Sequence, residues 1–305
     1  MTITASLPTP PVSRPLGKSG ITVSGLSWGM WRFKGDDLAA ARALVDAALD
    51  AGITLFDTAD IYGPDNGEAF GASEALLGRV FAADKSLRNK IVLATKGGIV
   101  IGTPYDSSAD YLNFAIDASL TRLGVDRVDL WQIHRPDILT HPQEMARTLE
   151  DAHKAGKIGA IGVSNFTVAQ IDALAHFLTV PLATTQPEFS PLTLNPLVSG
   201  EFDQAMRMDM AIMAWSPLGG GKIANPLAER DRAVANALKK VADQYGVSVT
   251  AAAFSWIMAH PAHPIPIVGS QTPARIREAA DAYKVTWTRA DWYAVLTASR
   301  EEPLP

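Results

Sequence analysis

Eight short apolar runs dominate the sequence, and they alternate with longer segments in which apolar residues recur at helical spacing. The alternation continues from about residue 21 to about residue 285, which is typical of strand-helix units around a parallel sheet. The runs span residues 21–30, 53–60, 90–98, 128–135, 158–166, 182–190, 210–218 and 264–270. Because a closed (β/α)8 barrel needs eight strands, the pattern predicts an α/β chain folded as a TIM barrel.

The segments between the runs predict the helices of that barrel. Residues 36–50 carry apolar side chains on one helical face and end at Gly52, a plausible C-terminal cap. The same pattern predicts helices at residues 112–123, 142–155, 168–177 and 272–283, and two within 229–261, with a break near Gly246. Helices at about 229–244 and 288–300 exceed a minimal barrel, so we expect them to pack outside it.

The amino-terminal part of the chain predicts two features. Residues 1–13 are rich in Pro and Thr and predict a loosely ordered lead-in. The piece from Pro15 to Val23, with turn residues between its ends, predicts a β-hairpin at the barrel bottom. Residues 14–305 are then expected to form one catalytic barrel domain.

Composition excludes several classes of protein. The 305 residues carry a net charge of −5 with scattered Lys and Arg, which does not favour a nucleic acid or an anionic membrane as partner. The chain has no cysteine, so a disulfide scaffold, a thiol nucleophile and a cysteine zinc site are impossible. The sequence starts without a secretory signal pattern and has no apolar run long enough for a bilayer. We therefore expect a cytoplasmic protein.

Polar side chains follow several runs, at the strand ends where barrel enzymes have their active sites. Asp57 and Lys96 directly follow the apolar stretches ITLF and IVLAT and would be costly near a low-dielectric core unless they were paired. A structural ion pair is one interpretation. Tyr62 and His134 at neighbouring strand ends favour another, because an ammonium lowers the pKa of a nearby tyrosine, which can then protonate a developing alkoxide. The four residues predict a proton-donating carbonyl site.

An ordered set of motifs from about residue 16 to about residue 280 resembles the aldo-keto reductase family. The motifs are Asp57 to Gly63, Thr95-Lys96, Ile133 to Pro136, Gly162 to Phe166, Gln186, Trp215 to Gly219, and Gly269-Ser270 through Arg275. The resemblance implies an NAD(P)H-dependent oxidoreductase that reduces aldehydes or ketones to alcohols.

The resemblance also implies a role for each catalytic residue. Tyr62 would be the general acid, Lys96 the partner that lowers its pKa, and Asp57 the carboxylate that holds Lys96. His134 would orient the substrate carbonyl. Trp31 would line the substrate pocket with Tyr62 and His134.

The cofactor site implied by the resemblance has three parts. Ser164, Asn165 and Gln186 would bind the nicotinamide carboxamide, and Trp215 would stack on its ring. Ser216, Leu218 and Gly219 would line the pyrophosphate, and Ser270, Arg275 and Glu278 would bind the adenosine end. The complete predicted set is Gly29, Met30, Asp57, Ser164, Asn165, Gln186, Trp215, Ser216, Leu218, Gly219, Lys222, Gly269, Ser270, Arg275 and Glu278.

Two departures from the family pattern affect the choice of cofactor. Gly269 stands where the family has a phosphate-binding lysine, and Ala279 stands where it often has an asparagine. Arg275 is retained and can hold a 2′-phosphate through two hydrogen bonds. Lys222 could supply a replacement charge or could be a solvated loop lysine. The sequence therefore predicts NADPH in preference to NADH.

Alternative interpretations accompany these predictions. The chain could be a nicotinamide-nucleotide-binding regulatory subunit with little turnover, because barrels resembling this family also serve as redox-sensing partners of channels. Ser164, Asn165 and Gln186 could merely cap helices. Ser27 lies in a G-x-S-x-G pattern typical of hydrolases, but no predicted helix begins directly after it. His260 and His263 are separated by a proline that breaks their helix, so we expect no metal site.

Overall fold

Eight parallel strands close into a barrel in the computed structural model, which describes residues 6–300. They are β3 (Ser27–Gly29), β4 (Leu55–Asp57), β5 (Val92–Gly97), β6 (Val128–Ile133), β7 (Ile158–Ser164), β8 (Thr184–Gln186), β9 (Ala211–Ala214) and β10 (Ile265–Val268). Each strand pairs with the next along the chain, and β10 closes on β3. The predicted TIM barrel is confirmed, and every barrel strand lies inside one of the eight apolar runs.

Side chains alternate across the barrel wall with the period of two that strands impose. Along β6, Leu130 belongs to the cluster that fills the barrel interior, and Trp131 belongs to the larger cluster between strands and helices. The side chain of Gln132 again lies inside, where it donates to Asp57. The inward positions at the carboxyl ends of the strands are therefore where polar side chains can meet.

An antiparallel hairpin of β1 (Ser13–Pro15) and β2 (Thr22–Ser24) precedes the barrel, as predicted. Leu16 in its turn packs into the interior cluster, and Gly17 lies against the backbone of Ala183 at the amino end of β8. The hairpin therefore covers the end of the barrel opposite the polar strand ends.

The prediction of one strand over residues 21–30 is wrong, because β2 and β3 are separate strands. The chain breaks at Gly25, whose amide donates to Val12 O at 2.8 Å. A Cβ at Gly25 would lie 2.5 Å from Pro11 O, so only glycine fits this crossing. Of the expected lead-in, residues 6–13 lie within the described part of the chain, and there Leu7 N donates to Trp287 O at 2.7 Å.

Helices surround the strands. They are α1 (Leu38–Asp50), α2 (Ala72–Ala83), α3 (Ala109–Leu123), α4 (Pro142–Lys154), α5 (Val168–Phe177), α6 (Glu201–Met208), α7 (Glu229–Tyr245), α8 (Val249–Met258), α9 (Pro273–Glu278) and α10 (Arg289–Ser299). As predicted, α7 and α8 are separated at Gly246, and α7 packs on α10, where Arg230 donates to Ser299 O at 2.7 Å. The expected helix at 272–283 is wrong in its second half, which is a 3-10 turn.

Sequence patterns did not predict α2 or α6. The buried face of α2 includes Ser73, Glu74 and Gly78, so the apolar stripe that marks a helix is interrupted. Gly78 is required there, because a Cβ would lie 2.2 Å from Arg122 O on α3. Within residues 6–300, no helix is long and apolar enough to cross a membrane.

Candidate active site

A buried ion pair lies at the centre of the polar end of the barrel. Lys96 Nζ on β5 is 2.7 Å from Asp57 Oδ2 on β4 and donates to Thr58 O at 2.8 Å. The Lys96 side chain is 0% exposed. An ammonium can stay charged at such a site only with a carboxylate and oxygen acceptors beside it, and the neighbouring strands supply both.

Tyr62 and His134 lie beside this ion pair. Lys96 Nζ lies over the ring of Tyr62, 5.2 Å from its centroid. The Tyr62 and His134 rings meet edge to face with centroids 5.8 Å apart. The structure thus brings together all four residues that the sequence predicted to be catalytic.

Burial and the charges nearby act in opposite directions on the pKa values of Tyr62 and Lys96, and in the same direction on that of His134. Burial raises the pKa of Tyr62, and the charge of Lys96 only partly offsets it, so the net pKa is above its usual value. Burial lowers the pKa of Lys96, but Asp57 and Tyr62 outweigh it and keep the ammonium charged. Burial and the charges of Lys96 and Arg135 hold the pKa of His134 well below its usual range. Lys96 does act to lower the pKa of Tyr62, but the net shift is upward, so the expectation of a lowered pKa is wrong.

Two glutamines complete the surroundings of Asp57. Gln186 Nε2 on β8 donates to Asp57 Oδ1 at 3.1 Å, and Gln132 Nε2 on β6 does so at 3.4 Å. Thr184 in turn donates to Gln132 Oε1 at 3.0 Å. The sequence analysis missed Gln132, although it lies two residues before His134 in the same apolar run, where alternate residues of a strand face the same side.

On the far side of the barrel mouth, Asn165 links three strands. It has a positive φ of 61°, and its Oδ1 accepts from Trp215 Nε1 at 2.9 Å. Its Nδ2 donates to Ser164 Oγ at 2.8 Å and to His134 O at 3.2 Å. Thr167, not Ser164 or Asn165, caps α5. The alternative that these two residues serve as helix caps is therefore wrong.

A glycine-rich turn follows Trp215. Ser216 has a positive φ of 53°, and its Oγ accepts from Gly220 N at 2.9 Å. A Cβ placed on Gly220 or Gly221 would have no heavy atom within 4 Å, so the turn borders open space. Leu218 and Gly219 are half-buried in this turn, and Lys222 at its end is exposed.

The turn after β10 lies next to β3. Trp28 Nε1 donates to Ser270 O at 3.1 Å, and Gln271 Nε2 donates to Gly29 O at 3.3 Å. Gly269 also borders open space. The predicted cofactor residues not yet placed are buried Gly29 and Met30, half-buried Glu278 and exposed Arg275.

Trp31, predicted to line the substrate pocket, is 44% exposed beside the loop that follows Tyr62. Its Nε1 donates to Asp65 Oδ2 at 3.3 Å, and its carbonyl accepts from Asn66 at 2.6 Å. The indole is therefore tied to the loop that carries the tyrosine. Among residues 6–300, no group of three or more His, Asp or Glu side chains is placed to hold a metal ion.

A second buried carboxyl group lies two residues before Tyr62. Asp60 is 0% exposed, and neither of its oxygens has a hydrogen-bond partner within the described residues. Glu74 on α2 is also buried and pairs with Arg122, whose Nε is 2.7 Å from Oε2. Burial, together with the charge of Glu74, raises the pKa of Asp60 well above its usual range.

We expect Asp60→Asn to stabilise the protein at pH 8. Since the folded pKa of Asp60 is raised, folding keeps a proton that the unfolded chain releases above about pH 4. The stability that Asp60 contributes is therefore lost as pH rises from about 4 through the folded pKa. Thermal unfolding at pH 8 should show a gain of at least roughly 2 °C, the effect of about 1 kcal/mol, and the gain should shrink toward pH 4.

The matched control for that measurement is Asp126→Asn, which removes an exposed carboxylate. It should change the melting temperature little at either pH. An Asp60→Asn variant that is less stable than wild type by the same amount at both pH values would contradict the interpretation.

Comparisons with known proteins agree with this geometry. The model of the Aldo/keto reductase family matches residues 25–299. A 6-dehydroglucose reductase of Novosphingobium aromaticivorans is 60% identical over 99% of this chain and 100% of its own length. A 6-dehydroglucose reductase of Agrobacterium fabrum is 37% identical over 91% of this chain and 94% of its own.

A solved structure shows the same fold. It is a crystal structure of a thermostable aldo-keto reductase in complex with the inhibitor epalrestat, with a TM-score of 0.80 and 22% identity over 94% of this chain and 100% of that chain. The family match and the relatives indicate an oxidoreductase that reduces carbonyl groups with a nicotinamide cofactor. This chain belongs to the aldo/keto reductase family.

Proposed function

We propose that this protein is an NADPH-dependent reductase of the free aldehyde of a sugar, with 6-dehydroglucose, the substrate in the names of two relatives, as the first candidate. The observation that carries the proposal is the Asp57, Lys96, Tyr62 and His134 cluster at the open end of the barrel. A hydroxyl beside a buried ammonium and a neutral imidazole suits proton delivery to a carbonyl oxygen.

The chain's residues have distinct parts in the proposed reaction. His134, which is neutral because of its lowered pKa, donates a hydrogen bond to the substrate carbonyl oxygen and orients it. Tyr62 transfers its proton to that oxygen as negative charge develops there. Lys96 stabilises the resulting phenolate, and Asp57 holds Lys96 in place. Reduced nicotinamide, when bound, supplies the hydride that reaches the carbonyl carbon.

The residues at the barrel mouth fit a dinucleotide. Trp215 offers a ring beside Asn165, Ser164 and Gln186, which carry amide and hydroxyl groups suited to a carboxamide. Open space borders Gly220, Gly221 and Gly269, so backbone there can approach phosphates closely. We assign the pyrophosphate to Ser216, Leu218 and Gly219, and the adenosine end to Ser270, Arg275 and Glu278.

The test is a panel of aldehydes, with 6-dehydroglucose, glyceraldehyde and hexanal as its core, assayed with NADPH and NADH. Loss of nicotinamide absorbance with 6-dehydroglucose as the best substrate is the expected result. Tight NADPH binding without turnover on any aldehyde would favour the regulatory-subunit alternative instead.

We expect NADPH to be preferred over NADH by roughly 10-fold to 150-fold in kcat/KM. Arg275 is exposed on α9 and has no carboxylate within 4 Å in the described structure, so its guanidinium can meet a 2′-phosphate. A charge-assisted hydrogen bond contributes about 1.5–3 kcal/mol, and about 1.4 kcal/mol corresponds to one decade. Arg275→Ala should remove most of the preference by weakening NADPH and leaving NADH nearly unchanged.

Arg277→Ala is the matched control for that variant, because Arg277 lies on the same helix and pairs with Asp50 at 2.9 Å. Lys222→Ala tests whether the loop lysine contributes to phosphate binding. Equal use of both cofactors by the wild type, or equal weakening of both by Arg275→Ala, would contradict NADPH specificity.

A further inference from the structure

Arg135 is a half-buried arginine at the active site without a carboxylate partner. It directly follows His134 after β6, and no Asp or Glu oxygen of the described residues lies within 4 Å of its guanidinium. Its guanidinium lies over the ring of Trp215, with Cζ 5.7 Å from the ring centroid. By contrast, Arg88 and Arg122, whose side chains are 23% and 22% exposed, pair with Asp129 and Glu74.

An unpaired guanidinium at a half-buried position has unused hydrogen-bonding capacity. Arginine carries five N–H donors in a planar fork, and partial burial removes some of the water that would satisfy them. The contact of the Arg135 cation with an aromatic ring offsets part of the lost hydration, but it leaves the N–H donors without hydrogen bonds to the ring. A substrate with several oxygen acceptors beside Arg135 would use them.

The position of Arg135 places those donors next to the reacting groups. Arg135 directly follows His134, and its Cζ lies 5.7 Å from the ring of Trp215, which Asn165 joins by hydrogen bonds to the carbonyl of His134. In the proposed function Tyr62 and His134 engage the carbonyl oxygen of the substrate. Arg135 is therefore placed to contact the atoms beyond that carbonyl.

On this geometry, and resting on the proposed function, we propose that Arg135 is a specificity-determining residue that donates hydrogen bonds to the hydroxyl oxygens of a polyhydroxylated aldehyde. A sugar aldehyde offers such oxygens along its whole length, and a simple alkyl aldehyde offers none. Arg135 would then select polyhydroxylated over alkyl aldehydes, while Tyr62 and His134 treat the carbonyl of both alike.

The experiment compares two six-carbon aldehydes, 6-dehydroglucose and hexanal, at saturating NADPH in wild type, Arg135→Gln and Arg135→Lys. We expect Arg135→Gln to lower kcat/KM for 6-dehydroglucose by about 10-fold to 150-fold, the effect of one charge-assisted hydrogen bond, chiefly through KM. The value for hexanal should change by less than about threefold. Arg135→Lys should restore part of the loss, because it keeps the charge but not the fork.

Arg207→Gln is the matched control, because it removes an exposed arginine that pairs with Asp172 on the outside of the barrel. It should leave both aldehydes unchanged. An equal loss on both aldehydes, a parallel rise in the Kd of NADPH, or no loss at all would overturn the proposal.

One further comparison, and one result for the wild type, separate the remaining outcomes. Glyceraldehyde and glyceraldehyde 3-phosphate differ by a phosphate, so a larger loss on the phosphorylated compound would mean that Arg135 recognises an anion, which also overturns the proposal. Failure of the wild type to reduce any aldehyde would instead refute the proposed function. The two failures are therefore distinguishable.

Discussion

Tyr62→Phe should keep the fold and the affinity for NADPH but lower kcat for carbonyl reduction by about 100-fold to 10,000-fold, the usual contribution of general acid catalysis. The substitution removes one hydroxyl from a half-buried ring and leaves the ring contact with His134 possible. Because Lys96 keeps Asp57 as its partner at 2.7 Å, the ion pair should survive. Steady-state rates and a binding titration with NADPH measure the two effects separately.

Tyr283→Phe provides the matched control, since it removes the same atom from a tyrosine whose hydroxyl donates to Val12 O near the hairpin end of the molecule. Its activity should equal that of the wild type. A Tyr62→Phe enzyme that keeps more than about a tenth of the wild-type kcat would refute the proton-donor role.

The protonation states of the site also predict how reduction depends on pH. Burial raises the pKa of Tyr62, so the phenol keeps its proton through neutral pH and loses it only in alkaline solution. The lowered pKa of His134 keeps the imidazole neutral over the same range. We therefore expect kcat to be nearly constant from about pH 6 to pH 9 and to fall above it. A loss of activity between pH 6 and pH 7 would indicate that His134 titrates there.

The sequence predicted that Asp57, Lys96 and His134 would lie together because barrel closure brings consecutive strand ends together. Asp57, Lys96 and His134 are 39 and 38 residues apart in turn, and the apolar run before each one placed it at a strand end. Parallel pairing of β4, β5 and β6 then makes them neighbours. The order of the strands in a barrel is therefore enough to predict that these side chains are neighbours.

The sequence could not predict the balance of energies at the site. A lysine near Tyr62 suggested a lowered pKa, but the desolvation of the phenol, which depends on the packing of all its neighbours, outweighs the charge.

Helix α2 was missed because its buried face holds Glu74, whose partner Arg122 is 48 residues away on α3. Gln132 was detectable in principle, as a polar residue at an inward strand position.

Lys96→Met should abolish most activity and also destabilise the fold. Loss of a preorganised electrostatic contact costs about 100-fold to 1,000-fold in kcat, and Tyr62 would lose the charge that stabilises its phenolate. Asp57, which is 2% exposed, would remain as a buried carboxylate whose remaining donors among residues 6–300 are Gln132 and Gln186. Breaking a buried pair in this way costs about 3–5 kcal/mol of unfolding free energy.

The double variant Lys96→Met with Asp57→Asn separates the two effects of the lysine. Neutralising Asp57 removes the uncompensated charge, so denaturant unfolding should show the double variant to be more stable than Lys96→Met alone. Its activity should stay as low as that of the single variant, because the ammonium beside Tyr62 is still missing. Full activity of the Lys96→Met enzyme would show that Lys96 and Asp57 form only a structural ion pair. If the double variant were no more stable than Lys96→Met, Asp57 would not carry an uncompensated charge in the single variant, and the stability cost would come from lost packing around the lysine stem.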